Sequence, residues 1–224
     1  MKRSQLLAGA GAMTLAAVSL GSAEALTVPN LGKPIVKPTK GNVVVAVMIT
    51  DRATVIDFAG PWETFQDAGY DTYVVSKTLD PVVATNGLHI IPDHTFDDAP
   101  HPNVIVVGAQ VAPPEALTWL RSVGPKTDVL MSVCTGAFVV ARTGLLDGQN
   151  ATTHHLYYDK FAAEFPKITL IRGPRFVENP QISCAGGLTS GIDLALRVVE
   201  RYEGAKTADD VAVYMEHVRT ARPS

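Results

Sequence analysis

Apolar and polar positions along this chain follow two periods. Asn42 to Thr50 is nearly unbroken valine, isoleucine and methionine. A run without alternating polar residues predicts a central parallel strand covered on both faces. Asn103 to Val107 repeats the pattern and ends at Gly108-Ala109, a small pair that lets backbone approach a ligand closely. Asp128 to Val133 is a third such run; Asp71 to Lys77 alternates and reads as a further strand, and Ile168 to Ile171 as another. Helical spacing predicts one helix opening at Gly60-Pro61, with Pro61 in the first helical position and Glu63 in the first turn. Others are predicted from Pro113 to Val123, from Cys134 to a Gly144 stop, and over about Tyr157 to Phe165, Thr189 to Tyr202 and Thr207 to Arg219. Pro81 to Phe96 reads as short strands and turns, and Phe176 to Ser183 as a hairpin. Strands and helices alternate throughout. The expected fold class is therefore α/β: a doubly wound, mostly parallel sheet sandwiched by helices, in one domain over 42–224.

The best-formed candidate chemistry sits where period two gives way to period 3.6, in Ser132-Val133-Cys134-Thr135-Gly136. Small residues two before and two after the cysteine permit a sharp strand-to-helix turn, a cysteine version of the nucleophile elbow. A thiol at a helix N-terminus is favoured as thiolate, and the N–H groups of Thr135 and Gly136 would receive developing negative charge. A buried structural cysteine ending a core strand fits the spacing equally well. Asp57, between Ile56 and Phe58, is expected three residues outside its helix, at the carboxyl edge of the sheet where ligands bind. Packing of that loop would desolvate it and raise its pKa; an aspartate ordering the loop by bonding nearby N–H groups is the plainer alternative. His154 follows Cys134 by twenty residues, a path long enough to return to the same edge and make a Cys–His pair, although a histidine opening a helix also reads as a cap.

Composition narrows the classes. The chain has 224 residues, 46% of them apolar, a net charge of −3, and no basic run, which argues against nucleic acid as a partner. Residues 1–25 read as a secretory signal: Lys2-Arg3, an apolar stretch from Leu6 to Leu20 too short for a membrane span, and Ala23-Glu24-Ala25 as cleavage site. Residues 26–41, rich in proline, glycine and lysine, read as an exported linker or an arm lying on the domain, and the expected location is periplasmic or secreted. Cys134 and Cys184 invite a disulfide after export, which would consume the elbow thiol. His89, His94 and His101, with Asp93, Asp97 and Asp98, lack tight ligand spacing and read as turn residues; no metal site is expected.

Several motifs recur in order: Asp57-Phe58-Ala59-Gly60-Pro61-x-Glu63, the Gly108 loop, Ser132-Val133-Cys134-Thr135-Gly136-Ala137, Gly144-Leu145-Leu146-Asp147-Gly148, Ala151-Thr152-Thr153-His154, and Ser183 to Thr189 with Gly191-Ile192-Asp193. Together they resemble the PfpI superfamily of the class I glutamine amidotransferase-like fold, over roughly 42–205. The branch is the one holding isonitrile hydratases and the ligand-sensing domains of AraC-type regulators. The resemblance implies a flavodoxin-like sandwich, often a homodimer, with no cofactor and a small-molecule substrate. It implies Cys134 as nucleophile, Asp57 as acid/base, His154 as the superfamily histidine, and backbone at Thr135, Gly136, Gly108 and Ala109, with Gly60 of the Asp57 motif, on the oxyanion and substrate side. It implies hydration of R–NC to an N-substituted formamide. The alternatives are a cofactor-free glyoxalase, deglycase or amidase on the same cysteine, a non-enzymatic small-molecule or oxidant sensor, and a peptidase assembled across an oligomer. The chain departs from the pattern at His155, where many relatives carry an aromatic residue, and at Cys184, where small residues are usual.

Overall fold

The computed structural model describes residues 32–39 and 41–219. The expected signal peptide and the start of the linker lie outside the described residues. In chain order the elements are β1 (Val44–Met48), α1 (Val55–Asp67), β2 (Asp71–Ser76), β3 (Val82–Val83), β4 (His89–Ile90), β5 (His94–Thr95), β6 (Val104–Val107), α2 (Pro114–Val123), β7 (Val129–Val133), α3 (Gly136–Arg142), β8 (Asn150–Ala151), α4 (Tyr158–Glu164), β9 (Thr169–Leu170), β10 (Phe176–Glu178), β11 (Ile182–Ala185), α5 (Ser190–Glu203) and α6 (Ala205–Tyr214).

Seven strands form the main sheet in the order β10-β11-β7-β6-β1-β2-β5. All neighbours are parallel except β10 and β11, the two arms of the expected hairpin. The strands are apolar on both faces because both faces are covered. Val45, Val47, Val104, Val106, Val129, Met131 and Val133 point into one core, against Phe58 and Phe65 of α1 and Leu194 and Val198 of α5. Ala46, Met48, Ile105, Val107 and Leu130 point into the other, against Trp119 and Leu120 of α2, Phe138 of α3 and Phe161 of α4. The chain leaves β1 toward β2 on one side and returns to β6 on the other, so the order reverses beside β1. A crevice outside the carboxyl ends of the strands opens at such a reversal.

One boundary differs from expectation in a way that moves a candidate residue. α1 begins at Val55, not at Pro61, and carries Pro61 in its interior. Asp57 therefore stands in the first turn of the helix rather than in a loop before it, its N–H bonded to the Thr54 carbonyl at 3.1 Å. Pro61 has no N–H for the carbonyl four residues back, which is that of Asp57, so the helix forgoes one ladder bond there. Burial of Phe58, Pro61 and Phe65 between α5 and the sheet offsets that loss. The last helix also starts and stops earlier than expected, at Ala205 and Tyr214.

The described part of the N-terminal arm is held through its backbone. Arg197 donates to the Gly32 carbonyl at 3.0 Å and Arg201 to the Lys33 carbonyl at 2.9 Å, while the Ile35 N–H bonds the Arg201 carbonyl at 2.8 Å. Buried Glu178 pairs with Arg197 from the edge strand β10. Among the described residues no helix is long and apolar enough to cross a membrane.

Candidate active site

Three strand ends converge at the reversal point. β1 leads into Asp57 through a short loop, β6 ends at Gly108-Ala109, and β7 ends at Cys134. The cysteine takes a left-handed backbone, φ 59°, in the two-residue turn between β7 and α3. Such a conformation costs a non-glycine residue about 1–3 kcal/mol and persists only where its surroundings over-determine it. Here they do: the Cys134 N–H bonds the Gly186 carbonyl at 2.7 Å, and its carbonyl accepts the Thr153 hydroxyl at 2.9 Å. Gly136 lets the turn close, since a Cβ there would overlap the Val107 carbonyl oxygen. Gly108 lets Asp57 in, since a Cβ there would come 2.9 Å from the Asp57 Cβ.

The result is a buried acid–thiol pair. Asp57 is 0% exposed and Cys134 7% exposed. Asp57 Oδ2 accepts the Ala109 N–H at 3.0 Å, the carboxyl faces the Cys134 thiol and the Leu188 N–H, and Oδ1 forms no hydrogen bond of ordinary geometry. Burial pushes the Asp57 carboxyl up to about 6, against the lowering pull of the Ala109, Cys134 and Leu188 donors. Burial, and then the neighbouring Asp57 charge, push the Cys134 thiol up to about 11, although the Thr135 and Leu188 N–H groups pull it down. This differs from the thiolate expected at a helix N-terminus. Desolvation and the adjacent carboxylate outweigh the pull of the two N–H groups at that end of the turn. At neutral pH the pair is a thiol beside a carboxylate able to take its proton.

The other candidates separate. Thr135 offers its N–H to the Cys134 sulfur. The Ala109 N–H is already engaged by Asp57 and orients the acid. Gly60 lies against Ile192 of α5, where its missing Cβ permits close helix packing. His154 caps the turn before α4, its ring accepting the Leu156 N–H at 3.3 Å and stacking on His155 with centroids 4.5 Å apart. Desolvation, then His155, lowers its pKa, and no interaction of its ring with Cys134 is among those that set the thiol's pKa. Cys134 and Cys184 are both free; one borders the α1/α5 core and the other the α2/α3/α4 core, so the sheet separates them. Among the described residues no group of three His, Cys, Asp or Glu could hold a metal ion. His94 packs edge-on against Tyr73, and His101 meets the Lys126 carbonyl.

A profile of the DJ-1/PfpI family matches residues 43–201. This chain belongs to the DJ-1/PfpI family. Within it, the chain is 34% identical to the isonitrile hydratase of Pseudomonas putida over 170 residues, 72% of this chain and 73% of that one. It is 31% identical to the HTH-type transcriptional regulator CdhR of Pseudomonas aeruginosa over 148 residues, 64% of this chain but only 44% of the regulator. Solved DJ-1/PfpI relatives share the fold. A THiJ/PfpI family protein from Pseudomonas syringae superposes with a TM-score of 0.72 at 24% identity, covering 93% of this chain and 85% of that one. Drosophila melanogaster DJ-1beta gives 0.70 at 16%, covering 80% and 100%.

One residue of the candidate site escaped the sequence. Leu188, in the turn between β11 and α5, holds φ 53° and aims its N–H at both Asp57 and Cys134. An apolar side chain carries no signal for a backbone donor. The only hint was the Gly186-Gly187 pair before it, and a Cβ at Gly187 would overlap the His154 ring.

Proposed function

We propose that this protein hydrates isonitriles, R–NC, to N-substituted formamides. The observation that carries the reading is the buried Asp57 carboxyl against the Cys134 thiol, with the Thr135 and Leu188 N–H groups facing the sulfur. The similarity to a named isonitrile hydratase supports it.

Asp57 takes the Cys134 proton as sulfur bonds the terminal carbon of R–NC. The carboxylic acid then gives that proton to the same carbon, leaving a thioimidate, R–N=CH–S–Cys134. Asp57, again a carboxylate, accepts a proton from water as the water oxygen bonds the carbon, and passes it to nitrogen. The C–S bond breaks, the hydroxyl proton returns to sulfur, and R–NH–CHO leaves. One water is consumed and the site is restored. A carboxyl raised to about 6 suits both halves, since it shuttles protons near neutral pH. With the leader expected over residues 1–25, the reaction runs outside the cytoplasm. A homodimer is part of the same reading.

A second reading, a small-molecule-binding module without turnover, is favoured by the matched regulators. Cyclohexyl isocyanide offered to the protein, with formamide followed by chromatography, separates the two. Product that disappears in Cys134→Ala supports the hydratase. Thermal stabilisation by the ligand with no product supports the binding module.

A further inference from the structure

Among the described residues the Leu188 amide faces both members of the acid–thiol pair, and its backbone is left-handed. What holds that turn lies outside the site described above. Arg175, just before β10, binds it from two sides. Its carbonyl accepts the Gly186 N–H at 2.8 Å, and Gly186 in turn accepts the Cys134 N–H. Its guanidinium donates Nη2 to the Thr189 hydroxyl at 3.2 Å and Nε to Asp193 Oδ2. Asp193 stands in the first turn of α5 with its side chain 3% exposed, and His217, beyond α6, meets its Oδ1 at 3.1 Å. The carboxylate is thus fixed from both oxygens, and the arginine fork is fixed by the carboxylate. Leu188 sits between Gly187 and Thr189, inside the span these contacts clamp.

We propose that Arg175, anchored by the buried Asp193, is a positioning residue that aims the Leu188 amide at Cys134 and Asp57. This rests on the proposed hydration for its kinetic consequence, but not for its effect on the thiol. Loosening the clamp lets the left-handed turn relax and turns the amide away. The loss falls on a donor used as charge develops at sulfur. Its signature is a lower kcat with KM nearly unchanged.

The test uses Arg175→Met and Thr189→Val in the full chain, with Arg175→Met/Asp193→Asn as the variant that leaves no unpaired buried charge should Arg175→Met fail to fold. The first readout is the rate of iodoacetamide modification of Cys134 against pH, by peptide mapping, with fully buried Cys184 as internal control. The second is kcat and KM with cyclohexyl isocyanide. The expected result is a modification profile moved to higher pH and a kcat lower by roughly 10- to 100-fold, approaching the loss of a deleted oxyanion-type donor. Wild-type protein that makes no formamide, together with a shifted profile in the variants, keeps the positioning role and rejects the hydratase. Folded variants whose modification profile and kcat match the wild type overturn the proposal, as does a fall in melting temperature with no change in either readout.

Discussion

Replacing Asp57 by asparagine should make the protein more stable while abolishing its chemistry. The folded carboxyl holds its proton up to about 6, against an ordinary 3.8. At about 1.36 kcal/mol per pKa unit, that difference amounts to roughly 3 kcal/mol, the cost of keeping Asp57 ionised inside the fold. Below pH 3.8 the folded and unfolded chains both carry the proton and the cost is absent. Between 3.8 and 6 the folded chain alone retains it, and stability falls as pH rises. Above 6 the whole cost is present. Asparagine keeps an acceptor for the Ala109 N–H and carries no charge. The variant should therefore exceed the wild type by about 3 kcal/mol at pH 8, and by only about 1 kcal/mol at pH 4.5. Urea unfolding at stepped pH, followed through Trp62 and Trp119, measures the gap. A gap that stays constant from pH 4.5 to pH 8, or that has the opposite sign, refutes desolvation as the cause of the raised pKa.

The same substitution should speed iodoacetamide modification of Cys134 near neutral pH, because the Asp57 charge is one of the groups pushing the thiol up; slower or unchanged modification removes that coupling. Gly136→Ala is expected to lower stability by about 3 kcal/mol or more, because the new methyl meets rigid backbone at Val107 and Gly108. Glycine to alanine in an ordinary helix gains up to about 1 kcal/mol, so a stabilised variant in urea unfolding contradicts the close approach. His154→Gln should lower formamide production by less than about tenfold, against the roughly 10²–10⁴ lost with a true acid–base group; a loss in that larger range places His154 in the proton path.

Much of the architecture was legible along the chain. Unbroken apolar runs at Asn42 to Thr50, Asn103 to Val107 and Asp128 to Val133 have one physical solution, a sheet covered on both faces. Small residues around Cys134 permit a tight turn, and at Gly136 the fold leaves no room for a side chain. These are local constraints, set by neighbours a few positions away. Pro61 misled because a proline is usually read as a helix start, and only the burial of Phe58 and Phe65 against α5 and the sheet carries the helix back to Val55.

Three decisions belonged to the tertiary structure alone. Whether Cys134 is thiolate or thiol depends on how deeply it is buried and on a carboxylate 77 positions away in sequence that folding brings beside it. Whether Cys134 can reach Cys184 depends on the sheet face each one takes. Which backbone N–H meets the acid–thiol pair depends on a left-handed leucine held by an arginine, an aspartate and a histidine from three separate segments. Period and composition report how a residue meets its neighbours along the chain. Electrostatics at a buried site is set by whatever the fold carries to within a few ångströms, and no pattern in a single chain records that.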